Sequence, residues 1–205
     1  KTPLALLTLV LDNRRGTLPE AVGFKLDYAR NRMQAFIDQM LYYARLRGAR
    51  RDYRFERLTL RSCIDEVLDD YRPLLEEKGF RIEIRLADET VFTDRRGLCF
   101  LLGQLVSNSV KYTSDAPVLT FSLACSEAET VLTVRDNGPG VRACDLPYVF
   151  EKGFTGDSGH ERSKATGMGL YLAREIAKEL GLTLSAASDW GAGFAVSISF
   201  PIIEA

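Results

Sequence analysis

The sequence predicts an α+β protein in two parts: a helical hairpin over residues 1–51, then an α/β sandwich over residues 52–205 with helices on one face of a mixed sheet. Three observations carry this reading. Leu26, Ala29, Met33, Phe36, Met40 and Tyr43 alternate steps of three and four, the spacing of a helical seam. Beyond an arginine-rich stretch, strands that alternate apolar and polar residues recur between amphipathic helices. Their order is a helix, strands, a helix, two strands, a loop, a helix and two strands, which favours a one-sided sandwich over a doubly wound parallel sheet.

In order, residues 1–11 read as the end of an apolar helix, 13–19 as a turn, and 20–48 as a longer helix carrying the seam. Two such helices bury a seam poorly alone, whereas a dimeric four-helix bundle buries it well. The competing reading is an amphipathic helix packed on its own domain. Arg45, Arg47, Arg50, Arg51, Arg54 and Arg57 then mark a solvated helix end and linker, with a boundary near 49–52. Thr59 is placed to cap a helix over 60–78 that Gly79 ends. Residues 80–86 alternate as a strand, with 90–93 expected to pair beside it. Leu98, Leu101, Leu102 and Leu105 give a helical face over 95–112. Strands follow at 118–125 and 130–135, a helix at 168–180 stopped by Gly181, and strands at 182–187 and 193–200.

With 205 residues, 46% apolar, the chain can bury a sizeable core, and its net charge of -1 makes nucleic acid an unexpected partner. No run is apolar enough to span a bilayer and no signal-like start is present, so the chain is expected to be soluble as it stands. It opens on Lys1-Thr2-Pro3 without Met and reads as the interior of a longer protein. Cys63, Cys99, Cys125 and Cys144 form no CxxC pair, which suggests neither zinc nor a disulfide framework and fits a reducing cytoplasm.

Chemistry gathers between Asp136 and Gly169. Asp136-Asn-Gly138-Pro-Gly140 and Gly167-Met168-Gly169-Leu170 are glycine-bearing turns separated by a long polar loop, and the second opens a helix. Glycines let backbone N–H groups approach anionic oxygens, and a helix start adds unpaired donors, so the stretch suits a polyphosphate. Asn108 and Lys111 lie three apart on one helix face; an amide oxygen suits Mg²⁺ and a lysine neutralises phosphate charge. Asp136 ends an apolar strand, where its carboxylate can accept from an exocyclic amine; an ordinary Asx turn is the alternative. Tyr112 lies against the nucleotide or in the core.

Gln104-Leu-Val-Ser-Asn108-Ser-Val-Lys111-Tyr112, Asp136-Asn-Gly138-Pro-Gly140, Phe150-Glu-Lys152-Gly-Phe154 and Gly167-Met168-Gly169-Leu170, with Gly191-Ala-Gly193 as a weaker fifth, resemble in order the catalytic domain of bacterial sensor histidine kinases. These belong to the gyrase, Hsp90, histidine kinase and MutL superfamily with its Bergerat ATP-binding fold. The resemblance implies that Asn108 binds Mg²⁺, Lys111 meets the phosphates, Asp136 reads the adenine amino group, and residues 150–166 form a lid. Within that lid Lys152 and Phe154 line the nucleotide, and Arg162 or Lys164 reaches the γ-phosphate. Hydrolytic relatives carry a glutamate where Gln104 stands; glutamine lacks that basicity, so water attack is poorly assisted.

Lys1-Thr2-Pro3 resembles the end of the family's phosphoacceptor motif, which places the reactive histidine upstream and makes Thr2 the residue that orients water in dephosphorylation. His160, the sole histidine, is not the expected acceptor. Phrases at 39–46, 154–156 and 167–172 most resemble kinases that work with peptide-antibiotic transporters. The implied protein is a membrane-anchored homodimer with this part on the cytoplasmic side, passing phosphate to a response regulator. Three competing readings stay open: a clamp-type ATPase, a non-catalytic dimeric scaffold and a serine kinase acting on a regulatory protein.

Overall fold

In the computed structural model the chain divides into two compact units, Lys1–Asp52 and Tyr53–Ala205. The structure describes residues 53–87, 89–112, 114–156 and 167–202, together with Val22, Leu26 and Ile37 in the first unit. Those three positions are helical and leave their apolar side chains exposed. The hairpin turn, the rest of the seam and Thr2 lie outside the described residues.

The second unit runs β1 (Phe55–Thr59), α1 (Leu60–Glu77), β2 (Arg81–Arg85), β3 (Thr90–Asp94), α2 (Arg95–Lys111), β4 (Val118–Cys125), β5 (Glu129–Asp136), a short 3₁₀ turn (Leu146–Tyr148), α3 (Gly169–Glu179), β6 (Thr183–Asp189) and β7 (Gly193–Pro201). Five strands form one sheet in the order β2-β4-β5-β7-β6. Only β2 and β4 run parallel, so the sheet is mixed as expected. Its inner face presents Leu119, Phe121, Leu132, Val134, Val196 and Ile198, all buried. Against it lie the buried stripes of α2 (Leu98, Leu101, Leu102, Leu105) and α3 (Leu172, Ala173, Ile176, Ala177). The period of two on the strands meets the period of 3.6 on the helices, and this is the core.

Two expectations change. β3 pairs with β1 in a separate two-stranded antiparallel sheet and not with β2. Residues 54 and 57, read as linker, thus border or belong to a strand; Arg54 N–H donates to Asp94 Oδ2 at 2.9 Å while Asp94 Oδ1 caps α2 by accepting from Gly97 N at 2.7 Å. Thr59 stands at the start of α1 but makes no side-chain cap; Ser62 Oγ donates to Thr59 O at 2.8 Å instead. Gly79 does end α1, at φ +68° with Phe80 N bonded back to Leu75 O at 2.9 Å.

The β6–β7 turn is fastened to the loop after β5, where Gly191 N donates to Pro139 O at 2.8 Å. Trp190 at the tip of this turn is 63% exposed.

Candidate functional site

The site is built where β5 ends beneath the last turn of α2. Asp136 pairs across the sheet with Leu119 and Phe194 and is only 9% exposed. Gly138 N–H donates to its Oδ1 at 2.9 Å and Ser109 Oγ to its Oδ2 at 3.0 Å. Burial is the largest influence on this carboxyl and pushes its pKa above the ordinary value, opposed by the bonds from Gly138 and Ser109. A carboxylate offers about four acceptor positions. Gly138 and Ser109 take one on each oxygen, and acceptor capacity remains for an N–H or O–H from outside.

The glycines after Asp136 are required by the protein's own backbone. A Cβ on Gly138 would sit 2.3 Å from Tyr112 O, and one on Gly140, at φ +69°, 2.6 Å from Asp189 O. At both glycines the space a Cβ would need is filled by neighbouring chain. Asn137 has a structural duty: its Oδ1 accepts from Val118 N at 2.8 Å and its Nδ2 donates to Ala116 O at 2.9 Å, which pins the α2–β4 connection over the loop.

Asn108, Lys111 and Tyr112 follow along α2. Lys111 Nζ lies 4.7 Å from the centre of the Tyr112 ring, and both side chains are half-buried. The first residue of α3 abuts this helix: the Cβ position of Gly169 is 3.2 Å from Gln104 Oε1 and 3.6 Å from Asn108 Oδ1. A glycine here lets a helix N-terminus close on two amide side chains. Among the described residues no side chain caps α3, whose N-cap, Met168, is buried.

The Phe150–Phe154 segment joins Gly167 directly. Gly153 N donates to Gly167 O at 3.0 Å, and a Cβ on Gly167, at φ +63°, would meet Gly153 C at 2.3 Å. Glu151 pairs with Arg174 of α3 at 3.0 Å, and Tyr148 and Phe154 are in ring contact. Phe150 and Phe154 are half-buried, and Val149 beside them is buried. Lys152 is exposed, and Leu170 is half-buried on the first turn of α3. Arg162, Lys164 and His160 lie outside the described residues.

The structure thus brings Asn108, Gly169 and Gln104 together at one end, and Asp136, Gly138, Gly140 and Tyr112 at the other. Sequence reasoning missed Ser109 and Arg174. The signal for Ser109 was available: it falls four residues after Leu105 on the apolar stripe of α2, where a hydroxyl needs a partner.

Among the described residues no group of three or more His, Cys, Asp and Glu could hold a metal ion. This donor set still fits Mg²⁺, which keeps several waters and binds through substrate phosphates with few protein ligands, here the Asn108 amide. The free carboxylate acceptor of Asp136 fits an adenine amino group. No helix among the described residues is long and apolar enough to cross a membrane.

Residues 93–204 match the family described as histidine kinase-, DNA gyrase B- and HSP90-like ATPase. The chain is 33% identical over 202 residues to the sensor protein BceS of Bacillus subtilis (strain 168), covering 98% of this chain and 59% of that protein. It is 27% identical to the sensor protein kinase GraS of Staphylococcus aureus (strain JH1), covering 98% and 58%. The chain thus spans about three fifths of the curated relatives it matches. Among solved structures, the Acinetobacter baumannii histidine kinase AdeS superposes with a TM-score of 0.71 at 20% identity, covering 98% of each chain.

Proposed function

Because the chain belongs to the family of histidine kinase-, DNA gyrase B- and HSP90-like ATPases, we propose that it is the cytoplasmic core of a membrane-anchored sensor histidine kinase, transferring the γ-phosphoryl group of MgATP to a histidine. The carrying observation is the pairing of a buried carboxylate with acceptor capacity to spare, Asp136, with an amide cluster at a helix N-terminus, Asn108 and Gln104 against Gly169.

Asp136 accepts the adenine amino group, which selects ATP over GTP. Asn108 and Lys111 receive the phosphates beside the N-terminus of α3, and Gly167, Met168, Gly169 and Leu170 offer backbone N–H groups there. Mg²⁺, when bound, draws charge from the β- and γ-phosphates. Lys152, Phe154 and Arg162 close over them and exclude water. A nitrogen of a histidine three residues ahead of Lys1 attacks the γ-phosphorus; the P–N bond forms as the bond to the β–γ bridging oxygen breaks, and ADP leaves. Gln104 cannot serve as a base for water, so ATP waits for the imidazole. The protein contributes placement and electrostatic stabilisation.

The seam of residues 26–43 makes the homodimer, and the phosphoryl group passes on to an aspartate of a response regulator, with Thr2 orienting the water that hydrolyses that aspartyl phosphate to aspartate and inorganic phosphate. The subfamily resemblance adds a peptide-antibiotic transporter as partner. The deciding experiment incubates the chain, extended upstream through that histidine, with γ-labelled ATP and Mg²⁺. A label lost in acid and kept in base establishes phosphohistidine. Vigorous phosphate release without label points to an ATPase, and absence of MgATP binding to a scaffold.

A further inference from the structure

We propose that Ser109 is a positioning residue that sets the preference for adenine by holding Asp136, an inference that rests on Asp136 being the adenine reader. Ser109 is 4% exposed and its hydroxyl has one proton to give. Two acceptors are in reach, Leu105 O at 3.2 Å and Asp136 Oδ2 at 3.0 Å. Leu105 O already lies in the hydrogen-bond ladder of α2, whereas a buried carboxylate oxygen gains a charge-assisted bond. The proton therefore goes to Asp136.

That bond does two things. With Gly138 N–H on Oδ1 and Ser109 on Oδ2, the carboxylate is held at both oxygens and its plane is fixed. It also favours the charged, acceptor-only form that a 6-amino group needs, against a burial that favours the protonated one. Removing the hydroxyl leaves a carboxylate free to tilt and readier to hold its own proton. Ser109 itself touches no nucleotide; its effect passes through Asp136.

The test compares ATP with purine riboside triphosphate, which lacks the 6-amino group, by equilibrium binding to the 205-residue chain and to Ser109→Ala. The alanine variant is expected to bind ATP about threefold to tenfold more weakly, the scale of one hydrogen bond to a charged group. Its affinity for the des-amino nucleotide stays unchanged, so the preference collapses by the same factor. Ser109→Thr keeps the donor and holds the wild-type ratio, and serves if the alanine variant does not fold. Equal weakening of both nucleotides, no change in either, or a threonine ratio that falls with the alanine one overturns the assignment. A wild-type chain that binds both nucleotides equally overturns the adenine reading itself, a failure visible before any variant is made.

Discussion

The two ends of the candidate site are held by different means. At the Asp136 end, a buried carboxylate is gripped by Ser109 and Gly138, Asn137 staples the adjoining loop, and backbone packs so closely on Gly138 and Gly140 that no Cβ fits. At the Gly169 end, the Phe150–Phe154 segment is joined to Gly167 by one backbone bond, and to α3 by the ion pair of Glu151 with Arg174. The first end is assembled by the same contacts that make the core. At the second, Gly169 still packs on the buried Gln104, but the Phe150–Phe154 segment beside it is tied on by exposed contacts that can open locally. On the proposed function, the base-reading end is therefore formed together with the fold, while the Phe150–Phe154 segment is left to close when the phosphates bind.

Asp136→Asn should break the first end most sharply. An amide N–H facing the adenine amino group is expected to weaken ATP binding about 100-fold, or about 2.7 kcal/mol. Yet thermal stability at neutral pH should not fall, because the substitution removes a carboxyl that burial disfavours in its charged form. The same carboxyl gives stability and binding opposite dependences on pH. Asp136 has a raised folded pKa, so its contribution to stability is full below the unfolded carboxylate value of about 3.9 and is lost as pH rises through the folded value. Binding needs the ionised form. ATP affinity should be level above the raised pKa and fall about tenfold per unit below it, and in Asp136→Asn titrations that slope should vanish.

A smaller effect separates the ends by what each loses. Gly138→Ala forces a Cβ onto Tyr112 O inside the core and should cost about 1–3 kcal/mol in chemical denaturation. Gly167→Ala makes an equally short contact with Gly153, but at the surface, where the loop can give way. There we expect about 1 kcal/mol of stability lost, with the damage appearing in MgATP affinity instead. Equal stability losses would mean the two ends are one cooperative unit. The smallest effect is expected for Glu151→Gln: its partner Arg174 is largely covered but Glu151 is 55% exposed, so stability should move by less than about 1 kcal/mol, and the nucleotide off-rate should rise.

Most of this architecture was legible because it is local. The leucine stripe of α2 and the alternation in β4, β5 and β7 are set by residues close in sequence, and the structure places them within a residue or two of expectation. β1 was not legible: of Phe55-Glu-Arg-Leu-Thr59 only Leu58 is buried, so no alternation betrays a strand that exists by pairing with β3. Nor was the partner of β3, since a nearer strand, β2, competes in the sequence and register across a sheet is decided by contacts far along the chain. In the site, Asp136, Asn108 and the glycines stand out as motif residues. Ser109 is outside the motifs: its place on the leucine stripe says that its hydroxyl needs a partner, but which partner is known only from the strand end beneath it.

Trp190 is the chain's sole indole, carried on a turn bonded to Pro139 within the loop that follows Asp136. The protein thus has a built-in optical gauge at one end of its site. Any shift of that loop when a purine arrives changes the surroundings of a single solvent-facing fluorophore. Tryptophan emission is expected to report purine occupancy without a label.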